Sequence, residues 1–178
     1  MAIKSTIFKL DMEVTDMDRN HYQDYQLRIA RHPSENDERM MVRILAFALN
    51  AHEFLQFAKG LNSEDEPDIW QKSLSDEIEL WVDLGQVDEK RIRKACGRAK
   101  NVKIYTYQQG SGTAWWQQYQ QKLIRFENLS VVNFSDDAVR DLGLMARRAM
   151  RLQCTIQDAS LWLSDGEQAV EIQPNIWK

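Results

Sequence analysis

An α+β fold is what this sequence predicts: a mixed β-sheet flanked by helices, built on an α-β-β-β-α-β core with β-hairpins added at both ends. Three observations carry that expectation. Residues 3–31 alternate apolar and polar side chains on either side of a turn, the pattern of a long amphipathic hairpin. Residues 34–58 and 88–100 repeat apolar side chains at helical spacing behind capping residues. Last, the strand, basic helix and strand that follow residue 78 stand close enough to form a βαβ crossover, which sets the two strands parallel.

Composition narrows the function. A chain of 178 residues, 43% hydrophobic and 28% charged, is expected to form one domain over 1–178 with a real core. The net charge of −4 excludes a protein that coats nucleic acid indiscriminately, although a local basic surface remains open. Cys96 and Cys154 lack metal-ligand spacing and read as buried thiols of a reducing compartment. No apolar run is long enough to span a bilayer and no signal peptide is evident, so a cytoplasmic protein without a membrane partner is expected.

The elements follow in order. Ile3–Val14 and the run HYQDYQLRIARH form the first hairpin across the turn TDMDRN. Ser34, with Asp37 three residues on, resembles a capping box; the helix behind it is predicted to reach Ala58 and to stop at Gly60. Met41, Ile44, Leu45, Ala48, His52 and Leu55 share its apolar face, so His52 reads as a core histidine. Glu38 sits on the first turn of that face, while Arg39 and Arg43 are expected to point away. An acid there is favoured by the helix dipole, or it serves at the rim of a site.

The next stretch, 66–98, carries the chemistry. Folded as a hairpin between Ser75 and Asp76, it sets Trp70 opposite Trp81, Lys72 opposite Glu79 and Asp68 opposite Asp83. The first two pairs each contribute about 0.2–1 kcal/mol, whereas two carboxylates face to face repel. That cost points to a cation between Asp68 and Asp83. Asp88 then caps a helix whose buried stripe is Ile92, Ala95, Cys96 and Ala99. Lys90, Arg91, Arg93, Lys94, Arg98 and Lys100 cover the rest, either as a solvated face or as a surface turned to phosphate.

Val102–Tyr107 is the parallel partner of the strand carrying Asp83. QQGSGT reads as a flexible loop and Ala114–Lys122 as a short helix, whose Trp115, Tyr119 and Lys122 share a face that packs on the sheet or stacks bases. A strand at Leu129–Phe134 and a helix from Asp136 to about Met150 follow. The chain closes with a hairpin of Met150–Ile156 and Ser160–Leu163 and a last strand at Val170–Ile172.

An α-β-β-β-α-β order with acids at these places resembles the PD-(D/E)XK nuclease superfamily. The segments RHPSENDERMMVRILAFALNA, DEPDIW, LWVDLGQVDEKRIRKACGRA, IYTY and LQCTIQDASLWLSD resemble the YaeQ family of bacterial proteins over nearly the whole chain. What the resemblance implies is a restriction-endonuclease-like core in which Pro67-Asp68 matches the PD motif, Asp83 the second acid and Glu38 the acid of the first helix. Gly85 stands where the motif asks for lysine, and Lys90 is the expected substitute, with Gln86 orienting a phosphate or a water. On this reading Asp68 and Asp83 hold Mg²⁺, and the reaction is metal-assisted phosphodiester hydrolysis. Arg91 and Lys94 would face the nucleic acid. The alternative is a catalytically silent nuclease fold that binds nucleic acid or a protein. A third reading is an internal ion network with Arg91 or Arg93 between the carboxylates.

Overall fold

The structure, a computed structural model, describes residues 4–178; Ile3, where the first strand is expected to begin, lies outside the described residues. The chain runs β1 (Thr6–Asp16), β2 (His21–Arg31), α1 (Asp37–Leu49), β3 (Leu55–Phe57), a 3-10 turn (Gly60–Asn62), β4 (Ile69–Lys72), β5 (Ile78–Leu84) and α2 (Glu89–Arg98). It continues through β6 (Ala99–Thr106), α3 (Gln109–Leu123), β7 (Leu129–Asn133), α4 (Asp136–Leu144), β8 (Ala149–Gln157), β9 (Ser160–Ser164), β10 (Ala169–Ile172) and β11 (Asn175–Ile176). The α+β class is as predicted, and α1 through β6 read α-β-β-β-α-β in chain order.

Two compact units form. The first takes the chain through Ala51 together with Asp137–Pro174, the second His52–Asp136 together with Asn175–Lys178.

In the first unit a five-stranded sheet has the order β10-β9-β8-β1-β2. The predicted hairpin holds one unbroken register from Thr6↔Arg31 to Asp16↔His21. Phe8, Leu10, Met12 and Val14 alternate onto its buried face, as period-2 patterning requires. On α1, Met40 through Ala48 are all buried, and Phe47 meets Tyr25 edge-on at 5.4 Å.

Three expectations about α1 are corrected. The cap is Asn36, whose side chain accepts the Arg39 N–H at 2.8 Å, and not Ser34, which hydrogen-bonds His32 instead. The helix ends at Leu49, because Asn50 turns its amide back to the Ala46 carbonyl at 2.8 Å. Leu55 therefore belongs to β3, and His52 is a half-buried turn residue whose Nδ1 accepts the Phe54 N–H at 3.1 Å. Arg43 does not point away. It is buried and donates to Glu35, itself buried, at 2.8 Å, while Arg39 donates to the same carboxylate at 3.0 Å.

In the second unit a six-stranded sheet has the order β11-β7-β6-β5-β4-β3. The predicted crossover is there: β6 lies parallel to β5, with Asp83↔Ile104 in register, and β7 lies parallel to β6. Trp81, Ile92, Ala95, Val102, Ile104, Trp115, Leu123 and Val131 form its core. Each such large apolar side chain removed from water contributes about 1.5–3 kcal/mol before its entropy cost. Trp115 packs, as one of its two readings held, and donates its indole N–H to the Val87 carbonyl at 2.7 Å. The stretch QQGSGT is not a loop but the entry to α3, with Gly112 so close to the Tyr107 carbonyl that a Cβ would approach it to 3.2 Å.

Candidate functional site

The central hairpin keeps the predicted Trp70↔Trp81 pair, whose rings meet edge-on at 6.4 Å. Past Gln71 the register slips through a bulge, so Lys72 faces Ile78 rather than Glu79. Its ammonium lies 4.1 Å over the Trp70 ring and pairs with Asp76 at 3.3 Å.

Asp68 and Asp83 occupy the other end of the hairpin, and both are buried. Asp68 extends the ladder by donating its N–H to the Val82 carbonyl at 3.1 Å, and its Oδ2 accepts the Leu84 N–H at 3.0 Å. The 3-10 turn closes over it. Gly60, at φ +51°, comes so near that a Cβ there would sit 2.3 Å from Asp68 Oδ1.

Asp83 faces a different partner. Arg91, on the first turn of α2, is aimed back at the strand because Asp88 anchors its N–H at 2.9 Å. Its Nε donates to Asp83 Oδ2 at 2.8 Å and its Nη2 to Oδ1 at 3.0 Å, a bidentate pair. The buried Trp81 indole N–H adds a third donor, at 2.9 Å. The guanidinium's remaining bonds run to the Ser63 carbonyl at 3.0 Å and the Glu66 carbonyl at 2.9 Å. The hydrogen bond it donates to Asp83 holds Arg91 above its usual range against the cost of burial, and the charges of Asp83 and Asp68 add to it. The positive charge that the buried Asp83 carboxylate requires is thus supplied from within.

A Mg²⁺ ion does not fit this arrangement while Arg91 holds Asp83. It needs open carboxylate lone pairs and room for several waters. Both oxygens of Asp83 already take guanidinium bonds, and Asp68 is enclosed by Gly60 and a backbone N–H. Among the described residues no group of three or more His, Cys, Asp and Glu side chains is placed to hold a metal. The site as built fixes the segment 63–66 to α2 and β5.

The other candidates scatter. Gln86 is exposed and donates to the Ser111 hydroxyl at 2.5 Å, and Lys90 is exposed on the first turn of α2. Lys94 reaches inward, to Asp65 at 2.5 Å and the Glu64 carbonyl at 3.3 Å; the adjacent Lys94 charge holds Asp65 below the usual carboxylate range. Arg98 joins the same segment at the Asp65 carbonyl, 3.0 Å away. Glu38 belongs to the first unit, half-buried, with Gly143 so close that a Cβ there would lie 2.7 Å from its Cγ. Sequence reasoning passed over Glu35 and its two arginines. Their i, i+4 and i, i+8 spacing was the available signal.

Two mixed sheets, a βαβ crossover and a buried aspartate closed by an arginine define an α+β protein with an internal ion pair at the end of its central hairpin. The chain belongs to the YaeQ family, whose model, described as YaeQ protein, matches residues 1–174. It is 47% identical to the YaeQ protein of Salmonella typhi and 45% identical to that of Escherichia coli K12, in each case over all of this chain and 98% of the relative. Crystal structures of YaeQ proteins match it closely. That from Xanthomonas axonopodis pv. citri has a TM-score of 0.95 at 37% identity, covering 98% of both chains. That from Pseudomonas syringae has a TM-score of 0.93 at 31% identity, covering 98% of this chain and 96% of the other.

Proposed function

We propose that this chain is a nuclease-like scaffold that binds nucleic acid without cutting it. The α-β-β-β-α-β order, with Pro67-Asp68 and Asp83 at the positions of the PD-(D/E)XK acids, supports the likeness to that superfamily. Two departures support a silent site: Gly85 replaces the motif lysine, and Arg91 fills the gap where a metal would work. The bidentate Arg91–Asp83 pair is the observation that carries the reading. The guanidinium and the Trp81 indole bring three donors to the Asp83 carboxylate, and both of its oxygens are engaged where an attacking water would have to be ordered.

The test is cleavage of single-stranded, double-stranded and branched DNA and RNA in Mg²⁺ or Mn²⁺ by the wild type and by Asp83→Asn. No cutting above buffer is expected from either. Wild-type cutting that Asp83→Asn abolishes would overturn the reading.

One observation favours a second reading, a metal-dependent phosphodiesterase. The Arg91 side chain keeps one-fifth of its surface in solvent, which leaves a way for a divalent ion to compete for the carboxylates. Asp68 and Asp83 would then hold the metal, with Gln86 and Lys90 as the polar groups next along the chain. Glu38 enters that reading through the resemblance alone. Uptake of Mn²⁺ by the wild type in titration calorimetry would support it.

A further inference from the structure

We propose that the outer side of α2 and the C-terminal end of α3 form a binding surface for single-stranded nucleic acid, centred on Arg93, Lys122 and Arg125. This rests on the reading of the chain as a nucleic-acid-binding scaffold, but on none of the residues of the acid pair.

The cations of α2 divide into two sets. Arg91, Lys94 and Arg98 turn toward the segment 63–66 and are committed there. The outward set is not. Arg93, Lys122 and Arg125 converge on one carboxylate, Glu89, at 3.3, 3.4 and 3.7 Å. With Glu127 at the neighbouring cleft, two negative charges stand against three positive ones, which leaves one in excess. All three side chains are well over half exposed, and ion pairs so exposed are weak and exchange partners readily. Lys90, also exposed, forms no ion pair among the described residues and adds a fourth cation one residue from Glu89. In a chain of net charge −4, this concentration is local.

Beside the cations lies an open cleft of about 620 Å³ lined by Arg93, Gly97, Arg125, Phe126, Asn128 and one carboxylate, Glu127. Phe126 is half-buried, with the Arg125 guanidinium 4.8 Å over its ring. Gly97 leaves the α2 wall bare, since a Cβ there would meet nothing within 4 Å. Guanidinium groups at the rim, an aromatic ring within and room between them suit a phosphodiester chain whose bases are free to turn inward. Phe126 packs on the core of the sheet beneath Arg125, so an unpaired base stacks on the Arg125 guanidinium that covers the ring, a plane that a base locked in a duplex does not reach. The chemistry is binding alone. Burial pushes the Cys96 thiol beside the cleft up to about 11, far from a nucleophile's range.

The test is fluorescence anisotropy of the full chain with labelled twelve-nucleotide single strands of RNA and DNA, in EDTA so that cutting cannot contribute. Binding should weaken with salt, with a log–log slope near −2, the value for about three phosphate contacts on a single strand. Arg93→Glu/Arg125→Glu should weaken it at least tenfold, and Lys100→Glu, half that charge change at a residue that does not line the cleft, less than twofold. Gly97→Glu, which has space to fold, should weaken it at least fivefold while circular dichroism and melting stay native. The proposal is overturned if the wild type binds no single strand, or if Lys100→Glu loses as much as the double variant. It is equally overturned by tighter binding to duplex, or by binding only to vesicles carrying anionic phospholipid, where the exposed Ile124 would insert. Such failures leave the Arg91 lock untouched, and cleavage in Mg²⁺ would sink the lock without bearing on this surface.

Discussion

Replacing Arg91 with Met keeps much of the aliphatic bulk and removes the charge. Asp83, which is 2% exposed, would then be left, among the described residues, with only the Trp81 indole as a donor. Breaking a buried ion pair by deleting one partner costs about 3–5 kcal/mol. Because the Arg91 side chain keeps 20% of its surface in water, the lower end applies, and we expect about 3 kcal/mol. For a chain of this length that corresponds to a melting temperature lower by roughly 6–12 °C. The Ser63 and Glu66 carbonyls lose their donors too, so amide exchange should accelerate across 60–67. The double variant Arg91→Met/Asp83→Asn removes both charges while leaving an oxygen to accept from Trp81. In urea titrations its cost should fall short of the sum of the singles by about 2 kcal/mol, the size of coupling expected for groups in direct contact. If Arg91→Met costs under ~1 kcal/mol, or if the cycle is additive to within ~0.5 kcal/mol, the guanidinium is not the counter-charge of the acid pair.

Other outcomes follow from single contacts. Gly60→Ala should cost at least ~2 kcal/mol in chemical denaturation, because a left-handed φ of +51° and a 2.3 Å approach to Asp68 Oδ1 act together. Gly97→Ala, on an open helix face, should instead stabilise by about 0.5–1 kcal/mol, read as a higher urea midpoint at unchanged slope. Asn36→Ala should cost about 1 kcal/mol by removing the α1 cap. Burial pushes the Cys154 thiol from 9.0 up to about 12. The unfolded chain therefore releases that proton first, so stability is full below pH 9 and falls as pH rises from there toward 12, by up to ~1.4 kcal/mol per pH unit. A pH series of melting temperatures, compared with Cys154→Ala, checks the sign; at pH 8 the native thiol should resist a disulfide reagent that modifies the unfolded chain at once.

Much of the fold was legible because its signals are local. The alternation through Phe8, Leu10, Met12 and Val14 announces a strand. Asp88 ahead of Ile92 and Ala95 announces a helix, and the short spacing to Val102 leaves a parallel crossover as the way back into the sheet. The errors fell where a local pattern has two physical solutions. Apolar residues through Leu55 continue the α1 period, but Asn50 hydrogen-bonds backward and ends the helix, freeing Leu55 for β3. The glycines of QQGSGT suggest a loop, yet Gly112 serves close packing against Tyr107 inside a helix. Nothing near Met150 hints that β8 would join β1 in parallel, a pairing between segments more than a hundred residues apart.

By itself, then, the sequence determined the elements, the crossover and the place of Asp83 on a strand of the sheet with a charge to be balanced, since strand period and turn position suffice for that. Which cation balances it was decided only by tertiary structure. Arg91 and Lys90 are neighbours on one helical turn, separated by about 100° around the axis. Only the angle at which α2 leaves the sheet determines that one buries its guanidinium against Asp83 while the other stands in solvent.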